Sequence, residues 1–313
     1  MNNLRVVFMG TPSFAYNVLD NLIKNTNVVM VVSQPDREKD RKGNIIYSPC
    51  KKIAIDNNIN VFQPIKIKND YQKILNAKPD IIITCAYGQI IPSELLEYPK
   101  YGCINVHASL LPKLRGGAPI HHAIVDGYKE TGVTIMYMDA KMDSGDIINQ
   151  ETIEIDDNIT LDELYNKLSI IGSNLLIETL PSIINGTNNR IKQNVEEVTY
   201  GYNITKEDEH IEFNDNINNV HNKIRGLSSV PGSYTVLNNK RMKVYKSEKT
   251  NLLSNKEPGT IIDINKEGIF VCTKDYIIKL IDIKIEGKNR GQVKDLINGF
   301  NKEDLIGVQL KWK

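Results

Sequence analysis

The feature that most constrains the fold is the alternation of short apolar runs with helix-like segments in the first half of the chain. The run from Arg5 to Met9 is followed by Gly10-Thr-Pro-Ser13, which reads as a turn and a helix start, and by helical spacing from Phe14 to Ile23. Further apolar runs cover residues 28–32, 80–86 and 103–106, with helix-like stretches at 50–56 and 71–76 between them. This alternation predicts an α/β fold with a Rossmann-like, doubly wound parallel sheet, whose ligands bind beyond the carboxyl ends of the strands.

The C-terminal third of the chain has a different pattern. Before it come strand-like runs at 134–138 and 146–155 and a long helical pattern at 161–184, which Pro181 interrupts near its end. A polar stretch follows the helical pattern. After a helical segment at 216–224, short alternating strands are predicted at 234–237, 242–245, 260–264, 269–273 and 277–283. Such strands, joined by Gly, Asn and Lys turns, predict a small, OB-like β-barrel. We therefore expect an α/β domain at 1–185, a linker at 186–203 and a barrel domain at 204–313.

Several common α/β chemistries lack their motif in this chain. The first turn is Gly10-Thr-Pro-Ser-Phe-Ala15 instead of G-x-G-x-x-G, so a nicotinamide nucleotide is not expected. Neither a G-x-x-x-x-G-K-[ST] phosphate loop nor a G-x-S-x-G nucleophile turn occurs. The four cysteines show no C-x-x-C spacing, and we predict no metal site.

Bulk properties indicate a protein of the reducing cytoplasm. No apolar stretch approaches the ~18 residues of a membrane span, and the sequence begins without a secretion signal. The scattered cysteines predict buried, reduced thiols. A net charge of +1 predicts no strong polyanion binding by itself.

A candidate catalytic centre lies near the end of the predicted strand at 103–106. Asn105 and His107 project to the same side of that strand, because side chains alternate with period two. An Asn amide can stabilise a developing oxyanion, and His is the usual acid or base near neutral pH. Asp143, in a turn after another strand, can bring a carboxylate to the same edge. The spacing alone leaves open that His107 is a hydrogen-bonded structural residue.

An ordered set of motifs around these residues resembles a known family. The motifs are Asn105-Val-His-Ala-Ser-Leu-Leu-Pro112, Arg115-Gly-Gly-Ala-Pro-Ile120, Thr131-Gly-Val-Thr-Ile135 and Met142-Asp-Ser-Gly-Asp146. They are similar to those of the 10-formyltetrahydrofolate-dependent formyltransferases. Four further segments resemble the branch that formylates methionyl-tRNA: Phe8-Met-Gly-Thr-Pro12, Ser33-Gln-Pro-Asp-Arg37, Phe62-Gln-Pro64 and Ala86-Tyr-Gly88.

The resemblance implies an enzyme that moves a formyl group from 10-formyltetrahydrofolate, its co-substrate, to the amino group of initiator methionyl-tRNA. Asn105, His107 and Asp143 would be the catalytic residues. The folate pocket would be lined by Ser109, Leu110, Leu111 and Pro112 and by the turn at Tyr87 and Gly88. The group that accepts the amine proton stays open. We further expect a monomer that binds no membrane.

The resemblance also implies contacts to tRNA. Arg41 falls at the position of an arginine that the family inserts at the acceptor end, and Arg37 and Lys42 accompany it. On the barrel, residues 240–249 combine Lys240, Arg241, Lys243, Lys246 and Lys249 with aromatic neighbours, a pattern compatible with a phosphate-binding surface. A solvated, mixed-charge surface explains either segment on charge alone.

Three other functions fit parts of the pattern. The Asn, His and Asp set could formylate an amine on a sugar nucleotide or small ribonucleotide, or could release formate from the folate by hydrolysis. A noncatalytic RNA-binding protein could also join an α/β domain to a barrel. The expected barrel and the basic loop favour tRNA as the amine substrate.

Overall fold

A computed structural model describes residues 1–36, 43–299 and 301–311 of the chain. Two compact units are present: Met1–Pro119, Glu130–Glu154 and Tyr165–Tyr202 form the first, and Ile120–Lys129, Ile155–Leu164 and Asn203–Lys313 form the second. The predicted boundaries at 185 and 203 stay a prediction. Arg37, Arg41 and Lys42, which were predicted to contact tRNA, lie outside the described residues.

The first unit is built on a seven-stranded sheet with the order β3-β2-β1-β4-β5-β6-β7. Its strands are β1 (Arg5–Gly10), β2 (Asn27–Val32), β3 (Asn60–Phe62), β4 (Ile81–Cys85), β5 (Cys103–His107), β6 (Glu130–Tyr137) and β7 (Ile147–Glu154). Neighbours among β1 to β5 pair in parallel, as predicted. Strands β6 and β7 instead run antiparallel to their neighbours. The loop between β6 and β7 is too short for the crossover connection that a parallel pair needs.

Helices follow most of the parallel strands. They are α1 (Ser13–Asn25), α2 (Pro49–Asp56), α3 (Gln72–Asn76), α4 (Ser93–Glu97), α5 (Pro119–Val125) and α6 (Leu161–Asn185), with 3₁₀ turns at Ile67–Asn69 and Val195–Glu197. One face of the sheet packs Val7, Met9 and Ile82 with Ile74 and Leu95 from the short helices. Strand β4 is buried along its whole length, which accounts for its uninterrupted apolar run.

Helix α6 covers the other face of the sheet. A Cβ at Gly172 would lie 2.9 Å from Val106 and 3.2 Å from Val133, so the helix approaches β5 and β6 closely there. Within the described residues, α6 is the one helix long and apolar enough by length and composition to cross a membrane, and 50% of that apolar window is buried. Packing on the sheet is therefore sufficient reason for its apolar sequence.

The second unit contains an antiparallel sheet with the order β10-β11-β12-β9-β8, to which β13 adds beside β12. Its elements are α7 (Ile217–Gly226), β8 (Ser233–Leu237), β9 (Lys240–Leu253), β10 (Ile261–Asn265), β11 (Gly268–Cys272), β12 (Tyr276–Ile285), β13 (Gly291–Gln292), α8 (Val293–Leu296), a 3₁₀ turn at Ile297–Gly299 and α9 (Lys302–Leu305). Near the end of the chain, Lys311 bridges to Val236 on β8, and Gln309 bridges to Thr260 beside β10. These bridges connect the two edges of the sheet, as in a small barrel.

The inner side chains of these strands form one apolar core with α7, including Val220, Ile224, Met242 and Val244. The predicted fold class, a mainly parallel α/β sheet followed by a separate antiparallel β-structure, is confirmed.

Candidate active site at the carboxyl edge of the sheet

Strand β5 carries Asn105 and His107 to the edge where the parallel strands end. Asn105 lies opposite Thr84 on β4 and Met136 on β6, and His107 lies opposite Thr134 on β6. Asn105 is half-buried and His107 is 7% exposed. The two side chains therefore lie at one end of one strand, between two neighbouring strands that hold them in place.

The side-chain oxygen of Asn105 accepts a hydrogen bond of 2.9 Å from the hydroxyl of Thr84. With its oxygen engaged in this hydrogen bond, Asn105 has its side-chain nitrogen left to donate. Such an amide N–H is the kind of group that can stabilise an oxyanion.

The ring of His107 is oriented by the loop that follows it. Its Nε2 lies 3.0 Å from the main-chain oxygen of Leu114. Because a carbonyl oxygen only accepts, Nε2 carries the proton in this contact, and Nδ1 is the second nitrogen. Nδ1 lies 3.8 Å from Oδ1 of Asp143. This separation is too long for a direct hydrogen bond but is short enough for the carboxylate to stabilise a positive charge on the ring.

Asp143 reaches the site from the turn between β6 and β7. Its backbone is left-handed, with φ of +50°, a region that Asp tolerates better than most residues. Its Oδ2 accepts a 2.9 Å hydrogen bond from the main-chain amide of Gly116. Gly116 has φ of +114°, and a Cβ there would lie 2.8 Å from the carbonyl oxygen of Gly201. Only glycine fits this position.

The loop at Ser109–Pro112 is held firmly by its own contacts. The Ser109 hydroxyl donates to the carbonyl of Lys113 over 2.7 Å. The Leu111 amide donates to the Thr134 hydroxyl over 3.1 Å, and the Leu111 carbonyl accepts from Gln150 over 2.9 Å. Ser109 and Leu111 are buried, whereas Leu110 and Pro112 are half-buried. The side chains of Leu110 and Pro112 are therefore the more accessible part of this predicted pocket wall.

The turn at Tyr87 and Gly88 lies at the end of β4. The Tyr87 side chain is 4% exposed and packs in the apolar core, where burial raises the pKa of its hydroxyl to about 12. Its main-chain oxygen accepts a 2.9 Å hydrogen bond from the side chain of Gln34. Gly88 has φ of +84°. This turn can therefore offer a ligand its main chain but not the tyrosine hydroxyl.

Two residues that support the site, Thr84 and Gln193, were not predicted from the sequence. Thr84 orients Asn105, and its polar side chain inside an apolar strand was a usable signal. Gln193 donates to the main-chain oxygens of Asp143 and Gly145 over 2.9 Å each, although it lies in a polar stretch with no distinguishing pattern. Across residues 1–36, 43–299 and 301–311, no group of three or more His, Cys, Asp or Glu side chains is arranged to hold a metal ion.

The sequence matches the family described as formyl transferase over residues 4–180, and the formyl transferase C-terminal domain over residues 203–301. These matches cover most of both units. The chain belongs to the formyl transferase family, and the prediction of an enzyme of this family is confirmed.

The most similar relatives share one name. The chain is 46% identical to the methionyl-tRNA formyltransferase of Malacoplasma penetrans, covering 99% of this chain and 97% of the relative. It is 44% identical to the methionyl-tRNA formyltransferase of Bacillus subtilis, covering 97% and 98%. The predicted resemblance to the branch that formylates methionyl-tRNA is thereby confirmed.

A solved structure shares the fold. The N-formyltransferase of Helicobacter canadensis, crystallised with folinic acid and dTDP-3-aminofucose, matches with a TM-score of 0.67 at 23% identity, covering 90% of this chain and 99% of that one.

Proposed function

We propose that this chain transfers the formyl group of 10-formyltetrahydrofolate to the amino group of initiator methionyl-tRNA. The observation that carries the proposal is the 46% identity to a methionyl-tRNA formyltransferase over 99% of the chain. The convergence of Asn105, His107 and Asp143 at the carboxyl edge of the sheet supplies groups suited to the chemistry.

In the proposed reaction the amine of the methionyl ester attacks the formyl carbon. A carbon–nitrogen bond forms, the formyl oxygen becomes an oxyanion, and the intermediate collapses as the bond to N10 of the folate breaks. The amine loses a proton, and N10 gains one. The amide nitrogen of Asn105 donates to the oxyanion, because its oxygen is already engaged by Thr84.

His107 and Asp143 act together on the same intermediate. With Nε2 bound to the Leu114 carbonyl, Nδ1 of His107 is the nitrogen beside the Asp143 carboxylate. In the protonated ring, Nδ1–H stabilises the oxyanion while Asp143 balances the positive charge. The carboxylate, which already accepts from Gly116, also attracts the proton that leaves the amine.

The folate is proposed to bind between two loops at this edge. One is the loop at Ser109–Pro112, and the other is the turn at Tyr87 and Gly88. Since the Tyr87 side chain is buried in the core, we assign this turn a main-chain role. The proposal needs neither a metal nor a nicotinamide nucleotide.

The tRNA is proposed to contact the segment that holds Arg41, Arg37 and Lys42 and the outer surface of the barrel. The strongest rival substrate is the amine of a sugar nucleotide, since the Helicobacter canadensis neighbour was crystallised with one. Full-length identity to methionyl-tRNA formyltransferases, including residues 203–301, favours tRNA. The enzyme is proposed to be cytoplasmic and monomeric. Light scattering on the purified chain tests the oligomeric state.

One experiment tests the function. The protein is incubated with 10-formyltetrahydrofolate and, separately, with charged initiator tRNA, charged elongator tRNA and dTDP-linked amino sugars. Formylmethionyl initiator tRNA is expected to accumulate fastest. Asn105→Ala should lower kcat by ~10²–10³ through loss of one oxyanion donor. Preferred formylation of the sugar, or release of formate without any acceptor, would overturn the proposal.

A further inference from the structure

We propose that Gln193 is a positioning residue that holds the Asp143 carboxylate in its working place, acting together with Arg115. This inference rests on the proposed catalytic role of Asp143. Gln193 lies 50 residues from Asp143 in the chain, in the polar stretch after α6.

Both ends of the Gln193 amide are used. Its oxygen accepts from Nε and Nη2 of Arg115, over 3.0 and 2.7 Å. Its nitrogen donates to the main-chain oxygens of Asp143 and Gly145, over 2.9 Å each. A guanidinium only donates and a carbonyl only accepts, so these partners fix which end of the amide faces which side. No other standard side chain of this length carries both functions.

The contacts from Gln193 add to other constraints on the turn that carries Asp143. Asp143 is left-handed, and a Cβ at Gly145 would lie 1.9 Å from the main-chain oxygen of Tyr137. Gln193 thus bonds the backbone on both sides of Ser144 at a point where the chain is tightly packed. Losing these two bonds would let the turn, and the carboxylate it carries, shift.

The same loop holds Asp143 from two directions. The side chain of Arg115 reaches the turn through Gln193, and the amide of the next residue, Gly116, donates directly to the Asp143 carboxylate. Arg115 is 8% exposed, so the guanidinium is shielded from competing water. The carboxylate is therefore placed relative to His107 both through its own oxygen and through its backbone.

The test is a double-mutant cycle in formyl transfer. Gln193→Met keeps the length of the side chain and removes both functions of the amide. Because a misplacement of about 1 Å can cost ~10²-fold, we expect kcat to fall by ~10–100-fold while KM for each substrate changes little. If Gln193 acts through Asp143, the Gln193→Met change should cost almost nothing more once Asp143→Ala is present.

Gln150 provides a matched control. Its side-chain amide also donates to a main-chain oxygen, but that oxygen belongs to Leu111 in the loop at Ser109–Pro112 and not to the turn that carries Asp143. The factor by which Gln150→Met lowers kcat should therefore be the same with and without Asp143→Ala, because Gln150 acts independently of that carboxylate.

The cycle also separates positioning from partial unfolding. If Gln193→Met only reduced the fraction of folded enzyme, it would lower the apparent kcat by the same factor with or without Asp143. Positioning predicts instead that Gln193→Met has no further effect on kcat once Asp143→Ala is present. Equal factors for Gln193→Met in both backgrounds, a wild-type kcat in Gln193→Met, or a wild-type kcat in Asp143→Ala would overturn the inference. If an acceptor other than methionyl-tRNA is formylated, the proposed function fails, and the cycle run with that acceptor still tests the role of Gln193.

Discussion

The hydroxyl of Thr84 on β4 donates to the side-chain oxygen of Asn105 on β5 over 2.9 Å, an arrangement that leaves the Asn105 side-chain nitrogen as a donor. Thr84 is 3% exposed, so water does not compete for the bond. We expect Thr84→Val, which keeps the shape and removes the hydroxyl, to lower kcat by roughly fivefold, because one net hydrogen bond contributes about 1 kcal/mol. Steady-state formylation of charged tRNA measures the change.

Thr84→Ser is the matched control, since it keeps the hydroxyl and removes only a methyl group. Its kcat should stay within about threefold of the wild type, given the small cost of one lost methyl. An equal loss in Thr84→Ser and Thr84→Val would mean that packing, not the hydrogen bond, sets the position of Asn105.

A second prediction concerns Asp36 and Lys51, which precede and follow the predicted tRNA-contact segment in sequence. The Lys51 ammonium binds the Asp36 carboxylate and lies 2.9 Å from Oε1 of Gln63. Burial alone would raise the pKa of Asp36, but hydrogen bonds from Lys51 and Gln63 and the charge of Lys51 lower it below its ordinary value. The Asp36 carboxyl is therefore ionised at neutral pH.

Lys51→Met removes the ion pair with Asp36 and should raise KM for charged tRNA several-fold. This is about the effect expected from the loss of one hydrogen bond between charged groups. KM for the folate should change less than KM for the tRNA. Lys52→Met is the control, because no ion pair is recorded for Lys52 among the described residues and it lies next to Lys51 on α2. An equal rise in both variants would contradict a specific role for the Asp36–Lys51 pair.

Most of the strands, and the placement of Asn105 and His107 on one of them, were predictable because their signals are local. Apolar runs mark buried strands, and period two places alternate residues together. Strand β9 was predicted at 242–245 but extends from Lys240 to Leu253. The later part was not predicted because its residues are polar and pair with β12 at the surface. Exposed strands of this kind carry no hydrophobic period.

The contacts that tune the site were harder to predict. Gln193 reaches Asp143 across 50 residues, and nothing in its neighbourhood distinguishes it from other polar residues of that stretch. Tyr87 illustrates the opposite problem. Its neighbours resemble a family motif, yet its side chain packs in the core, so the motif alone could not separate a main-chain from a side-chain role. Tertiary structure decides both cases.

A third prediction concerns His221 on α7, which is 4% exposed. Its Nε2 donates to the main-chain oxygen of Asp157 over 3.1 Å, and its Nδ1 accepts from the Ser247 hydroxyl over 2.9 Å. Burial lowers the pKa of His221 to about 4, the nearby charges of Arg225 and Lys249 add to the lowering, and the Asp157 contacts oppose it. The folded ring is therefore neutral at pH 7.

An unfolded histidine has a pKa of about 6.5, so the unfolded chain binds a proton between pH 6.5 and 4 that the folded chain excludes. Stability should be complete above pH 6.5 and fall as the pH drops through this window, by up to about 3 kcal/mol from this group. His221→Gln cannot titrate there. In urea unfolding followed by circular dichroism, the difference between wild type and His221→Gln should shrink from pH 7 to pH 4. A difference that stays constant over this range would contradict the prediction.

The final prediction concerns which barrel cations contact tRNA phosphates. The sequence predicted a phosphate-binding surface at 240–249 that includes Lys243. In the structure Lys243 instead donates to the Pro231 carbonyl and lies 3.7 Å from Glu209. Arg241 stacks on Tyr234 at 3.6 Å and lies 3.5 Å from the same glutamate. Lys240, just after the turn between β8 and β9, is exposed, and no ion pair is recorded for it in the described part of the chain.

Lys240→Ala should therefore weaken binding of charged tRNA and reduce the slope of log affinity against log salt concentration by ~0.7–0.9, the value for one phosphate contact. Lys243→Ala should change the slope less, because Glu209 already offsets part of its charge. Lys266→Ala, an exposed change in the turn between β10 and β11, controls for the loss of one positive charge anywhere on the barrel. If all three variants shift the slope equally, the barrel attracts tRNA only through its overall charge, and Lys240 makes no specific contact.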